Sequence, residues 1–165
     1  MEIRKLNPSD AKQYVKLRLE ALRMNPEAFG SSYEEEKDNP IELYEGRLRS
    51  ETSYHFGAFV HEQLIGVVSL VKETKQKFRH RANIFAMYVT PSKRGCGIGK
   101  GLMQRAIETA KDLDEVEQLH LSVVTTNESA RKLYLSLGFN VYGYDKRALN
   151  INNLYFDEEH MVKFL

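Results

Sequence analysis

Cysteine, strong net charge and long apolar segments are the features that this 165-residue sequence has little of. One cysteine, Cys96, can form neither an internal disulfide nor a cysteine-based metal cluster. No apolar run approaches the roughly 18 residues of a membrane-spanning helix, so we expect no membrane insertion. The net charge of +1 gives no overall attraction to nucleic acid or anionic lipid. These absences argue against disulfide-stabilised, membrane and general nucleic-acid-binding proteins.

The chain has the size and uniformity of one domain. A protein of this length can bury roughly 70% of its unfolded surface and needs no disulfide or metal to hold a core. It contains no repeat, low-complexity segment or linker, so we predict a single domain over residues 1–165. The polar start MEIRKLNPSD lacks the apolar segment of an export signal, which predicts a cytoplasmic protein. We expect no bound metal ion.

Apolar spacing predicts alternating helices and strands. Capping residues at Asn7–Asp10 precede a helix to about Arg23, and Pro40 begins a second helix. Two β-branched and aromatic segments, from Tyr54 and Leu64, are joined closely enough to form a hairpin. Further along the chain the pattern predicts a strand over about 82–89, a helix over about 102–110, a strand over about 119–123, a helix from Asn127 that ends at Gly138, and two C-terminal strands. The order is that of a mixed α/β domain.

The stretch PSKRGCGIGKGLM, residues 91–103, holds four glycines and three cations without an acidic residue. It lies between a predicted strand and a predicted helix, where unpaired backbone N–H groups and the helix dipole attract an anion. Glycine lets a phosphate approach the backbone, and Lys93, Arg94 and Lys100 add positive charge. The alternative is a tight connection with exposed lysines. The run therefore indicates a phosphate-binding loop.

Two common phosphate motifs do not fit this loop. A Walker A motif would need glycine in place of Arg94 and serine or threonine in place of Gly101. The dinucleotide pattern GxGxxG would need glycine at Lys100 or at Leu102, depending on where it starts. The loop therefore matches neither motif.

The loop and its surroundings resemble the GNAT superfamily of N-acetyltransferases. Residues 87–91, MYVTP, followed by RGCGIG at 94–99, are similar to the family's strand and its loop R/Q-x-x-G-x-G/A. Downstream, Asn127, Ala130, Leu133-Tyr134 and Gly138-Phe139 resemble the second signature, N-x-x-A-x-x-L-Y-x-x-x-G-F. The two motifs cover roughly residues 82–142. The resemblance implies a GNAT-like acyl-CoA N-acyltransferase fold: a mixed α/β (α+β) domain whose twisted, mostly antiparallel sheet is splayed between its central strands, with helices on both faces.

The resemblance also implies acetyl-CoA as co-substrate. Its diphosphate would lie on the backbone from Gly95 to Lys100, and its pantetheine arm along the strand at Met87 and Val89. Asn127 would contact it from the following helix, where the same side chain can cap that helix. The predicted cofactor-binding residues are Met87, Tyr88, Val89, Arg94, Gly95, Cys96, Gly97, Ile98, Gly99, Lys100, Asn127 and Tyr134.

The implied reaction is direct attack of a primary amine on the thioester in a ternary complex. Tyr134 resembles the family's tyrosine that returns a proton to the CoA thiolate. Several family members carry a glutamate or histidine base four residues before the position of Met87, where this chain has Asn83. An amide cannot take a proton at neutral pH, so Asn83 can only orient a water. Candidate bases elsewhere are His120, Glu73, His80, Asp157 and Glu158.

The acceptor amine is left open. The family places its acceptor groove beside the first two helices and the last strand connection, here Phe29–Glu36, Asp145–Arg147 and Asp157–Glu159. The acidic runs suit a cationic amine, whereas Arg147 would suit a carboxylate. A small molecule, an amino acid and a peptide all remain candidates, and a homodimer remains among the oligomeric states. The alternative function is a non-catalytic acyl-CoA-binding sensor, motivated by Asn83.

Overall fold

The computed structural model describes residues 1–165 and contains one seven-stranded sheet with five helices. The strands are β1 Glu2–Lys5, β2 Ser53–Val60, β3 Gln63–Lys72, β4 Arg81–Val89, β5 Gln118–Val124, β6 Asn140–Ile151 and β7 Leu154–Phe164. The helices are α1 Ala11–Met24, α2 Tyr33–Glu36, α3 Ile41–Arg49, α4 Ile98–Lys111 and α5 Glu128–Ser136. No helix is both long and apolar enough to cross a bilayer.

The sheet order is β1-β2-β3-β4-β5-β7-β6, and every neighbouring pair is antiparallel except β4 and β5. Two hydrophobic clusters lie against it. One includes buried residues of α1 and α3, and the other includes buried residues of α4 and α5. The mixed α/β, mostly antiparallel fold expected from the sequence, with helices on both faces, is confirmed.

The N-terminal half forms from strong local signals. The Asn7 side chain accepts a hydrogen bond from the Ser9 N–H at 2.9 Å, and Asp10 accepts one from the Asn7 N–H at 2.9 Å. This capping box fixes the chain just before α1. Helix α3 begins after Pro40, as predicted, and buries Tyr44. Two elements were not predicted: the four-residue edge strand β1 and the single-turn helix α2.

A tight hairpin joins β2 and β3. Its two connecting residues, His61 and Glu62, have φ values of 48° and 62°, the left-handed backbone of a two-residue hairpin turn. The predicted hairpin is confirmed. Its strands are largely buried, and β3 pairs on its other edge with β4.

The sheet opens between its two central strands. The parallel pairing of β4 and β5 covers only three residue pairs, from Arg81 with Gln118 to Asn83 with His120. Farther along β4 the pairing with β3 shifts register, and Ala86 takes a φ of 52°. Beyond Asn83, β4 therefore has a strand neighbour on one side only. This separation of β4 from β5 positions the site.

Candidate active site

The glycine loop between β4 and α4 presents exposed backbone. Gly95 and Gly97 both have a φ of 78°, a left-handed conformation that side chains with a Cβ rarely adopt. A Cβ on either residue would meet nothing within 4 Å, so backbone conformation, not crowding, favours glycine. Gly97 is the N-cap of α4, a helix of 14 residues. The exposed loop and the positive end of this helix form a surface suited to an anion.

Gly99, in the first turn of α4, permits close packing. A Cβ at Gly99 would lie 2.8 Å from Met87 Cε and 3.5 Å from Leu133 Cδ2. A larger residue would require the end of the Met87 side chain to move. The glycine loop is therefore held directly beside the unpaired part of β4.

The cations of the loop have different surroundings. Arg94 donates from Nε to the Val89 carbonyl and from Nη2 to Asn25 Oδ1, both at 2.8 Å. Lys93 and Lys100 line the same cavity without an ion pair to any carboxylate. No carboxylate neutralises any of the three cations, but Arg94 uses two of its donors to tie the loop to the end of β4 and to the turn after α1, whereas the two lysines keep theirs free.

A central cavity of about 930 Å³ extends from this loop to α1 and α3. This volume is at the upper end of the range for small-molecule sites. Most of the predicted cofactor-binding residues line it: Met87, Tyr88, Val89, Arg94, Gly95, Gly97, Ile98, Gly99, Lys100, Asn127 and Tyr134. Cys96 does not line it, because its exposed side chain turns back toward the Arg94 carbonyl at 3.7 Å. Residues from both sequence motifs thus meet around one space.

Tyr134 of α5 is buried against this cavity, and its hydroxyl makes no hydrogen bond within the protein. Burial raises the pKa of Tyr134 to about 12, so the phenol keeps its proton at neutral pH. Its ring packs edge-to-face on Phe139, with centroids 6.2 Å apart. The arrangement leaves a protonated donor without a partner at the cavity wall.

Asn127 caps α5. Its side-chain oxygen accepts a hydrogen bond from the Ala130 N–H at 3.1 Å, while the residue also lines the cavity. The capping role foreseen from the sequence is therefore present, and a contact with the cofactor stays a prediction.

Tyr88 is fixed to α1 by a residue that the sequence analysis did not single out. Glu20 accepts hydrogen bonds from the Tyr88 hydroxyl at 3.0 Å and the Thr90 hydroxyl at 2.9 Å. Burial, with the hydrogen bond to Glu20, raises the pKa of Tyr88 to about 12. The hydrogen bonds to Glu20 therefore anchor the end of β4 to α1. No sequence signal connects positions so far apart.

Asn83 and His120 lie together, but outside the cavity lining. Asn83 donates a hydrogen bond to Glu73 Oε1 at 2.8 Å. This contact also occupies Glu73, which was a second candidate base. His120 contacts Gln118 at 2.9 Å and the Tyr142 hydroxyl at 3.3 Å. Burial, helped by nearby positive groups, lowers the pKa of His120, so the imidazole is neutral at pH 7. The structure does not bring these residues to Tyr134.

Glu158 of β7 is the tail carboxylate that faces the cavity. It pairs with Val124, the last residue of β5, at the open end of the sheet. Burial raises the pKa of Glu158, Asp145 adds to the effect and His160 opposes it. Its neighbours on β7 are engaged elsewhere: Asp157 accepts hydrogen bonds from the Tyr144 hydroxyl and the Arg147 N–H, and Glu159 pairs with Arg131.

The far wall of the cavity comes from α1, α3, β2 and β3. Its polar lining includes Tyr14, Arg18, Arg47, His55 and Ser69, none of which was predicted from the sequence. The first part of the predicted acceptor segment, Phe29–Ser31, lines it, whereas Arg147 does not. The only sequence signal for this wall was that His55 and Ser69 stand inside otherwise apolar strands.

Comparison with known proteins agrees with the family resemblance of the sequence motifs. The model of the acetyltransferase (GNAT) family matches residues 18–139. A spermidine N(1)-acetyltransferase of Vibrio cholerae is 27% identical over 125 residues, which is 75% of this chain and 70% of that protein.

Solved structures share the fold over the whole chain. An acetyltransferase of the GNAT family from Streptococcus pneumoniae has a TM-score of 0.86 at 23% identity and covers 99% of both chains. A putative acetyltransferase from Salmonella typhimurium, solved with its cofactor acetyl-CoA, has a TM-score of 0.86 at 21% identity. The aligned region covers 100% of this chain and 94% of the Salmonella chain.

Proposed function

The chain belongs to the GNAT acetyltransferase family, and from this we propose that it transfers the acetyl group of acetyl-CoA to a primary amine by direct attack in a ternary complex. The observation that carries the proposal is the central cavity. It joins the exposed loop from Gly95 to Lys100, the unpaired edge of β4 and the buried phenol of Tyr134 in one space.

The loop supplies what a diphosphate requires. Gly95 and Gly97 allow close approach to backbone N–H groups at the start of α4, and Lys93 and Lys100 offer charge that no carboxylate neutralises. The pantetheine arm is an amide chain, and the edge of β4 beyond Asn83 has no neighbouring strand to compete for its hydrogen bonds. The thioester, when bound, supplies the activated acetyl group.

The amine must lose a proton before it attacks. At pH 7 only about one lysine-type amine in 2,500 is neutral, given a pKa near 10.4. We assign Glu158 as the proton acceptor, because it lines the cavity and makes no ion pair. Its raised pKa makes it a stronger base than an ordinary carboxylate. Backbone N–H groups of β4 near Tyr88 or Val89 would stabilise the negative charge that develops on the thioester oxygen.

When the amine nitrogen bonds to the acetyl carbon and the C–S bond breaks, Tyr134 would protonate the leaving thiolate and would regain a proton from the nitrogen, which must lose one as the amide forms. With a phenol pKa of about 12 and a thiol pKa near 8.5, the transfer is uphill by about 3.5 pK units, or about 5 kcal/mol. The real difference is smaller, since the same burial also raises the pKa of a thiol held beside it. Tyr134 is therefore suited to donate a hydrogen bond early and its proton late.

Product analysis tests this proposal against the alternative of a cofactor sensor. The purified protein is incubated with acetyl-CoA and, separately, with spermidine, amino acids, aminoglycosides and short peptides, and both CoA thiol and acetylated amine are measured. An enzyme gives equal amounts of the two with some amine. A sensor binds acetyl-CoA and gives neither. A cytoplasmic location stays a prediction, and the oligomeric state stays open.

A further inference from the structure

Arg47 on α3 is a cation of the cavity wall that no group in the protein balances. It forms no ion pair and donates no side-chain hydrogen bond, and its guanidinium lies 5.1 Å from the centre of the Tyr44 ring. Arg18 on the same wall differs, because Glu36 accepts from its Nη2 at 2.8 Å and from its Nε at 3.1 Å. Arg47 alone presents free donors to this part of the cavity.

His55 and Tyr14, which line the same wall as Arg47, are uncharged. His55 contacts Ser69 through Nδ1 at 2.7 Å and Ser53 through Nε2 at 3.1 Å. Burial, followed by the charge of Arg47, lowers the pKa of His55 to about 4, so it is neutral at physiological pH. Burial also raises the pKa of Tyr14, which keeps that phenol neutral. The positive charge of Arg47 therefore stays uncompensated.

The carboxylates that line the cavity are Glu27, in the turn after α1, and Glu158, on β7. Glu36 does not line the cavity and is neutralised by Arg18. The wall formed by α1, α3, β2 and β3 thus carries a net positive charge. A polyamine would place a second cation against it, and like charges at a partly desolvated site repel.

We propose that the acceptor is an amine that also carries a carboxylate, of the amino-acid class, and that Arg47 binds this carboxylate. The inference rests on the proposed function, because it names the substrate of that same site. Arginine suits the task, since its planar fork can donate two parallel hydrogen bonds to one carboxylate. Glu158, on the opposite side of the sheet opening, takes the amine's proton. Phe85, 54% exposed at the cavity, offers an apolar surface to the amino-acid side chain.

Matched substrates test the inference directly. Each amino acid of an apolar series is compared with its own carboxamide, which keeps the amine and side chain but removes the negative charge. The amide has the less basic amine, which favours it chemically, so a preference for the acid must come from binding. We expect kcat/KM to be at least tenfold higher for the acids than for the amides and for spermidine. Equal or better use of amides or spermidine would overturn the inference.

Variants of α3 identify the residue responsible. Arg47→Met should lower kcat/KM for the acids at least tenfold, mainly through KM, and leave the amides and the KM for acetyl-CoA unchanged. Arg47→Lys should recover part of the loss. Arg49→Met removes an exposed cation of the same helix and is the matched control. A loss shared equally by acids and amides would assign Arg47 to folding and contradict the proposal.

Binding without turnover separates this inference from the proposed function. The acids and amides are titrated into protein saturated with CoA, which cannot react. Acid-selective binding that Arg47→Met removes supports the carboxylate site, even in a protein that transfers nothing. Acetylation without preference for acids would retain the enzyme and reject the site. Absence of acid binding in this titration likewise rejects it.

Discussion

Asn83 of β4 and His120 of β5 form the last pair of the parallel ladder, and the two strands separate directly beyond them. The separation creates the space in which the edge of β4, Tyr134 and Glu158 face a common cavity. The pair itself lies outside that cavity. It is the last point at which β4 and β5 pair before they separate around the candidate site.

The conformation of Gly97 predicts a loss of cofactor binding without a loss of fold. Gly97→Val must either adopt a left-handed backbone, at a cost of about 1–2 kcal/mol or more, or move the loop that starts α4. We expect acetyl-CoA affinity to fall at least tenfold in calorimetry, with an unchanged circular dichroism spectrum. Gly46→Val is the control, because Gly46 is exposed on α3 with open space around it. Unchanged affinity in Gly97→Val would contradict the phosphate-loop assignment.

Tyr134→Phe separates proton donation from binding. The hydroxyl makes no hydrogen bond within the protein, so its removal leaves no partner unsatisfied and should change the free energy of unfolding by less than about 1 kcal/mol. General acid catalysis is worth about 10²–10⁴-fold, and we expect kcat to fall by that order while the Kd for acetyl-CoA stays within about threefold. Tyr142→Phe, at an exposed position on β6, is the control. Equal losses in turnover and affinity would assign Tyr134 to binding.

Glu158→Gln should change the pH dependence of kcat/KM. Burial raises the pKa of Glu158, and below that pKa both the amine and Glu158 must lose a proton before attack. The wild-type plot of log kcat/KM against pH should therefore be steeper below the Glu158 pKa than above it. The variant should lose this change of slope and be slower by about 10²-fold or more. Glu159→Gln, at the neighbouring residue paired with Arg131, is the control. A variant that kept the wild-type profile would exclude Glu158 as the base.

The ion pair between Arg18 and Glu36 predicts a pH-dependent stability. Burial by itself would raise the pKa of Glu36, but Arg18 outweighs it and holds this pKa below its usual value. Because the folded pKa is lowered, the contribution is present above the unfolded pKa and is lost as pH falls through the folded pKa. Glu36→Gln should lower the free energy of unfolding by about 3 kcal/mol at pH 7, since Arg18, whose side chain is only 12% exposed, is left without its charged partner.

Urea unfolding at several pH values checks this prediction. The difference between Glu36→Gln and the wild type should shrink in acid, as wild-type Glu36 becomes protonated. Glu34→Gln, which removes an exposed partner of Lys37, should cost less than about 0.5 kcal/mol at pH 7. A difference that did not vary with pH would show that packing, not charge, explains the effect of Glu36→Gln.

Elements with local signals were predictable from the sequence. The capping residues before α1, the proline before α3 and the apolar spacing of α4 each lie within a few residues of the structure they specify. The strand β1 has four residues and depends on its pairing with β2, from which it is distant in the chain. Its formation is therefore a tertiary effect that periodicity does not reveal.

In the candidate site, too, some residues have a local sequence signal and others depend on the tertiary fold. The glycine loop and Tyr134 lie in contiguous motifs, whereas Arg47 and His55 reach the cavity only because α3 packs against β2 and β2 pairs with β3, the strand next to β4. Asn83 and His120 show the converse. The position of Asn83 relative to the family motif and the imidazole of His120 suggested catalytic roles, but the pairing of β4 with β5 places both residues outside the cavity lining.

We propose that the cavity beside the glycine loop binds acetyl-CoA and that the acetyl group passes from there to an amine. Calorimetric titration of the purified protein with acetyl-CoA, followed in the same sample by thiol release on addition of amines, tests it most directly. We expect one binding site per chain, followed by thiol release when an amine acceptor is added. No binding of acetyl-CoA would contradict the assignment of the loop and, with it, the proposed function.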